Sequence, residues 1–149
     1  AGIVGLGKAA EVAQNKMAER AEKVKILRDR LIEGILQKVD HAIVTGHREK
    51  RLPHHASFCI EGIEGESLIF TLSRAGIYAN TGSACASKAL KTSPVLVALG
   101  IPPALAQGSI VFTLNRDNGE EDVNYVLEEL PAAVAKLRAF SPLWQKMPV

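Results

Sequence analysis

Apolar residues recur every three or four positions from about Val4 to Gln37, which predicts one long amphipathic helix, or two in series. Met17, Ala21, Val24, Leu27, Leu31 and Ile35 form its stripe, with charged residues between them. Gly5 and Gly7 cost helix stability, so they read as points of close packing. Ala42-Ile43-Val44-Thr45 then has the character of a short strand stopped by Gly46. Residues 47–55 form a polar loop containing Pro53, and 56–60 a second strand. Glu64 to Arg74 is helical, closed by Gly76 as its C-terminal cap. Ile77-Tyr78-Ala79 is strand-like. Pro94 opens a short helix at its first turn, where a missing N–H costs nothing, and Gly100-Ile101-Pro102-Pro103 breaks it. Ser109 to Leu114 alternates Ile110, Phe112 and Leu114 with Ser109, Val111 and Thr113, as a strand does. Glu120 to Phe140 is the last helix, with Val123, Val126, Leu127 and Leu130 inward, and Pro131 is expected to kink or split it. The fold class expected is α/β (α+β): a small few-stranded sheet packed against helices, with a long N-terminal helix.

Composition narrows this picture without redirecting it. The 149 residues suffice for one domain with a real core, and 47% hydrophobic with 23% charged content is ordinary for a globular chain. Net charge is +2, and on the first helix Lys23, Lys25, Arg28 and Arg30 alternate with Glu19, Glu22 and Asp29, as on a solvated face. That pattern argues against nucleic-acid binding, which needs a one-sided basic stripe. The basic run Arg48-Glu49-Lys50-Arg51, just before Pro53, reads as surface loop. No apolar stretch approaches the roughly 18 residues of a membrane span, and no signal peptide is visible. Two cysteines in unlike settings suit a reducing compartment, so a cytoplasmic address is expected.

Four motifs invite a chemical reading. Gly5-Leu6-Gly7-Lys8-Ala9-Ala10 superficially matches a dinucleotide fingerprint, but that motif needs a preceding strand and an acidic residue at a second strand's end, and the chain opens only four residues earlier, so a role in helix packing is expected instead. His54-His55 suggests a metal pair, yet neighbouring side chains of an extended chain point opposite ways and no cluster of zinc spacing accompanies them. Cys59, between Phe58 and Ile60, reads as inert core. Cys85 differs: its loop, Asn80-Thr81-Gly82-Ser83-Ala84-Cys85-Ala86-Ser87-Lys88, has no bulky group to shield the sulfur. Lys88 and Lys91 follow, and nearby positive charge favours the nucleophilic thiolate. No His or Asp adjoins Cys85, so a protease-like triad has no support. These local residues alone leave a structural thiol as an equal alternative.

Gly82-Ser83-Ala84-Cys85-Ala86-Ser87 resembles the active-cysteine loop of cysteine desulfurases in the branch serving iron–sulfur cluster assembly. Four further segments agree in order and spacing. Ile3 to Ala10 resembles the helix that follows the cofactor domain, and Ile63-Glu64-Gly65-Glu66-Ser67-Leu68 the helix start after the second strand. Ser109 to Arg116 resembles the late strand, and Leu137-Arg138-Ala139-Phe140-Ser141-Pro142-Leu143-Trp144 the C-terminal signature. The resemblance spans nearly the whole chain. It implies the small domain of the class V aminotransferase fold and a pyridoxal-phosphate enzyme. Such an enzyme takes sulfur from free L-cysteine, leaves alanine, and holds the sulfur as a persulfide on Cys85. An iron–sulfur scaffold or other acceptor protein then receives it, and the complete enzyme is expected to be a homodimer.

Two departures qualify what is carried over. The chain, residues 1–149, matches only the C-terminal domain; the cofactor lysine, the histidine stacked on the cofactor and the phosphate-binding residues lie upstream in the family. No cofactor-binding residue is therefore assigned here, and this chain alone is expected neither to bind pyridoxal phosphate nor to be active. The opening at Ala1 resembles a cut more than a natural start. In addition, the family's late strand carries an arginine that clamps the substrate carboxylate, and the matching residue here is Val111. Losing one charge-assisted hydrogen bond costs about 1.5–3 kcal/mol, roughly ten- to hundredfold in binding. Arg116 matches a different family position. Three readings stay open: part of a desulfurase, a non-catalytic persulfide relay or partner-binding domain, and a degenerate paralogue with an inert thiol.

Overall fold

The computed structural model describes residues 1–82, 93–142 and 144–146. Helix α1 (Gly2–Lys38) is a single helix, about 55 Å long at 1.5 Å per residue. It is followed by β1 (Ala42–Val44), β2 (His55–Ile60), α2 (Gly65–Arg74), α3 (Pro94–Ala98), α4 (Pro103–Ala106), β3 (Ser109–Thr113), α5 (Glu120–Ala139) and a closing 3₁₀ turn (Trp144–Lys146). The strands form one antiparallel sheet in the order β1-β2-β3. The expected fold class is thus observed.

The alternation of side chains in a strand gives the sheet two different faces. Ala56, Phe58, Ile60, Ile110 and Phe112 face the main core with Leu27, Leu31 and Ile35 of α1, Leu68 and Leu72 of α2, and Val123, Leu127, Leu130 and Val134 of α5. Phe58 and Phe112 meet edge-on, ring centroids 6.3 Å apart. On the opposite face lie Ser57, Cys59, Ser109 and Val111, where Cys59 packs with Leu96 and Ala106. Cross-strand pairing sets Ser57 opposite Val111 and Cys59 opposite Ser109.

Several expectations need correction. The buried residues of α1 are Val24, Leu27, Arg28, Leu31, Ile32 and Ile35, all in its second half. Met17 is 67% exposed, because no other described element covers the first five turns. Gly5 and Gly7 would meet nothing within 4 Å if given a Cβ, so they mark no close packing within the described chain. They also lie inside a helix, not at a strand–helix turn, which removes the geometry a dinucleotide fingerprint requires. Arg28 does not belong to a solvated face: it is buried and donates from Nη1 to the Leu52 carbonyl at 3.0 Å and from Nε to Asp29 at 2.8 Å.

The segment at 77–79 forms no full strand. The residue after it, Asn80, makes one β-bridge with Val111, while Tyr78 stays exposed. The Pro102-Pro103 break conceals α4, which starts on Pro103 because proline suits a first helical turn. Helix α5 is not split at Pro131; Leu127 and Leu130 before the proline, and Ala133 and Val134 after it, all seat in the core. Gly76 ends α2 as expected, with φ +77°, a conformation that glycine adopts without strain.

Candidate active-site loop and its supports

Cys85, with Lys88 and Lys91, lies outside the described residues. The two feet of its loop are described, and they stand together: a Cβ on Gly82 would lie 3.9 Å from Ser93 Oγ. The incoming foot is fixed to β3, where the Asn80 N–H donates to the Val111 carbonyl at 3.0 Å and the Val111 N–H returns the bond at 2.6 Å. Thr81 then passes against Gly65, whose N–H donates to the Gln107 carbonyl at 2.8 Å. A Cβ at Gly65 would sit 2.2 Å from the Ser109 carbonyl oxygen, so only glycine lets the start of α2 close onto β3. The outgoing foot is the buried Ser93, followed by α3, whose Leu96 reaches the Cys59 cluster. The incoming foot is therefore held at the edge of β3 beside Val111, and the outgoing foot leads to the sheet face that carries Cys59 and Val111.

Cys59 is a buried free thiol. Burial pushes its pKa up to about 11, because desolvation disfavours the thiolate. It stays protonated at neutral pH and cannot serve as the nucleophile. Two buried hydroxyls, Thr45 and Ser57, bond each other at 2.6 Å beside it on the sheet. Arg51 ties the preceding loop down, donating to the carbonyls of His47 at 2.8 Å and Thr45 at 2.5 Å. Burial, then Arg28, lowers its pKa.

Val111 is half-buried on the Cys59 face, where it offers only an aliphatic surface. Arg116 does not take the place of an arginine there. It follows Leu114 into the groove on the α1 side, its Nε 3.4 Å from Asp117. His54 lines that same groove, and His55 begins β2. Burial, then Arg51, lowers the His55 pKa. Among the described residues no three His, Cys, Asp or Glu side chains gather as a metal site would need.

The lysines whose side chains are described are all exposed: Lys8, Lys16, Lys23, Lys25, Lys38, Lys50 and Lys136. A lysine holding an aldehyde cofactor needs an enclosed, partly desolvated setting. The described residues therefore do not fit pyridoxal phosphate.

One constellation was not legible as such in the sequence. Arg138, buried on α5, donates from Nη2 to the Asp40 carbonyl at 2.7 Å and from Nε and Nη2 to the Glu61 carbonyl at 3.0 Å each. Trp144 stacks on its guanidinium at 3.9 Å and meets His41 edge-on at 5.3 Å. The clasp fastens the end of the chain to both ends of the β1–β2 hairpin. Both residues stand in the C-terminal signature, but their partners are backbone carbonyls, which leave no trace in a side-chain pattern. No helix among the described residues is long and apolar enough to cross a membrane.

Comparison with known proteins fits this architecture. The family model "Aminotransferase class-V" matches residues 1–126. A cysteine desulfurase of Gluconacetobacter diazotrophicus is 46% identical over 96% of this chain and 36% of its own length. Cysteine desulfurase IscS 1 of Archaeoglobus fulgidus is 45% identical over 97% and 37%. Among solved structures, a NifS-like protein superposes with TM-score 0.78 at 32% identity, covering 91% of this chain and 34% of that one. The chain thus spans little more than a third of the length of the curated relatives it matches. It belongs to the class V aminotransferase family, and its relatives there are cysteine desulfurases of the IscS and NifS kind.

Proposed function

We propose that residues 1–149 are the C-terminal domain of a cysteine desulfurase and that Cys85 is its sulfur-carrying nucleophile. The observation that carries this reading is the loop base. Two feet held side by side, the first bridged to the β3 edge at Val111, flank a ten-residue segment containing the chain's other cysteine, while Cys59 is buried and protonated. The Cys85 thiolate attacks the sulfur of free L-cysteine. A new S–S bond forms, the substrate C–S bond breaks, and the carbon side leaves with a proton as L-alanine. The persulfide then passes to an acceptor protein for iron–sulfur cluster assembly. Pyridoxal phosphate, bound by a part of the enzyme outside this chain, supplies the electron sink for C–S cleavage. The complete enzyme is a cytoplasmic homodimer.

The test is alanine release from L-cysteine by this chain joined to a cofactor-bearing upstream part, in wild type and Cys85→Ala. Release that survives Cys85→Ala sinks the proposal. Val111 favours a second reading, a persulfide relay, because a carrier needs no clamp for a substrate carboxylate. Incubating the chain with a persulfide donor and weighing it intact separates the two. A relay gains the mass of one sulfur on Cys85 without any upstream part.

A further inference from the structure

A groove of about 440 Å³ lies between the middle of α1 and the chain leaving β3, on the side of the sheet away from Val111. Part of its lining is apolar: Val24 and Leu114, with the largely exposed Met17 at its open side. Its rim is cationic. Arg20 and Arg116 come from opposite walls, and Lys23 brings its ammonium group to the Arg116 carbonyl at 2.8 Å. Arg20 is half-buried and makes no ion pair among the described residues. The one carboxylate in the lining is Asp117, 3.4 Å from Arg116 Nε. Glu19 and Glu22 do not line it, since the helical repeat carries them around α1 away from Arg20 and Val24. Among the residues that line the groove, two arginines stand against one carboxylate, which leaves one positive charge unmatched.

We propose that this groove binds a small organic phosphate, a monoester with an apolar body. The volume lies in the range of small-molecule sites, and an apolar lining with a few convergent polar groups is their usual construction. Two guanidinium groups offer planar pairs of N–H donors that match phosphate oxygens. The net positive charge of the lining favours an anionic head group, and the apolar lining offers contact to the ester group. The site is separate from the sulfur chemistry of the Cys85 loop and does not depend on it.

Titration calorimetry on the full chain with phenyl phosphate tests this, with inorganic phosphate and benzyl alcohol as the head-only and body-only probes and no cysteine or cofactor present. Phenyl phosphate should bind one-to-one with a Kd of about 1 mM or tighter, the range for an eleven-atom ligand. Either probe alone should bind at least tenfold more weakly. Arg20→Met and Arg116→Gln should each weaken phenyl phosphate binding about tenfold, and added salt should weaken it further. Both residues are at least partly exposed, so the variants should keep the wild-type circular dichroism spectrum. No saturable binding, or binding unchanged in both folded variants, overturns the proposal. Equal binding of benzyl alcohol overturns it too, since the cations would then contribute nothing.

Discussion

Replacing Arg138 by methionine keeps the length and apolar stem of the side chain but removes three hydrogen bonds to two carbonyls, Asp40 and Glu61. Hydrogen bonds to a charged group contribute about 1.5–3 kcal/mol each when fully buried. Here Asp40 is exposed and Glu61 half-buried, so water takes over part of what the guanidinium supplied. The stacked Trp144 adds about 0.5–1 kcal/mol of cation–π attraction. A net loss of about 2–3 kcal/mol is expected for Arg138→Met. Urea unfolding followed by far-UV circular dichroism measures it. Trp144 is the chain's one tryptophan, so its fluorescence reports the clasp separately from the fold. Its emission should shift to the red in Arg138→Met before any denaturant is added. Trp144→Leu should cost about 1 kcal/mol, and the double variant should show a coupling of about 0.5–1 kcal/mol. A loss below about 0.5 kcal/mol with unchanged Trp144 emission would refute the clasp, because that is the range of ordinary surface substitutions.

Other expectations follow from the same geometry. An alkylating reagent at neutral pH should label one of the two cysteines in the folded chain and both in urea, since a thiol with a pKa near 11 is almost never ionised; labelling of Cys59 in the folded chain would contradict its burial. Gly65→Ala drives a Cβ into the Ser109 carbonyl and should lower stability by about 2 kcal/mol or more, read by thermal melting; a neutral result would mean that α2 and β3 do not close as described. The Asp122 carboxylate accepts the Gly119 N–H at 3.0 Å and an Asn118 amide at 3.1 Å, which together hold its pKa below the usual carboxylate range. Its depressed pKa makes the stabilisation complete above the unfolded value of about 3.9 and progressively lost as pH falls toward the folded one; wild type and Asp122→Ala should therefore differ in melting temperature at pH 6 and converge in strong acid. Hydrogen exchange along α1 should be fast before about Arg20 and slow from Val24 to Ile35, because a helix of this length without tertiary contacts is marginal in water. Uniform protection along α1 would contradict that division.

The sequence was informative wherever one side-chain pattern decided one element. The alternation Ile110-Val111-Phe112 placed β3, and the glycine at 76 placed the end of α2. It misled where the decisive partner belonged to another element. Arg28 has the same charge as Lys25 and Arg30, and only the Leu52 carbonyl, 24 positions away, makes it a buried residue. Met17 continues the apolar stripe of Val24 and Leu27, but a stripe records amphipathicity and not whether anything covers it. Ile77 and Ala79 have strand character, yet a strand needs a neighbour, and β3 offers only the one bridge at Val111. At the candidate site, Cys85 was singled out by the composition of its loop and by family resemblance. The pairing of the loop's feet, Gly82 against Ser93, comes from tertiary packing alone.

Val111 is the point at which fold and chemistry come apart. Its bonds to Asn80 are backbone bonds, and its pairing with Ser57 is set by the register of β2 and β3. Neither depends on the side chain at 111. The position is half-buried on the sheet's second face, outside both clusters of buried apolar residues. A β-branched residue suits the strand, but a long side chain reaching the surface would leave every described contact of the main core intact. Nothing that holds the fold together therefore requires valine there or opposes arginine. Arg116 cannot compensate, because the turn after Leu114 carries it to the α1 side of the sheet, where Lys23 and Asp117 engage it. The departure at 111 thus acts beside the bridge that holds the incoming foot of the Cys85 loop, and its consequence is to be sought in what the sheet's second face can bind.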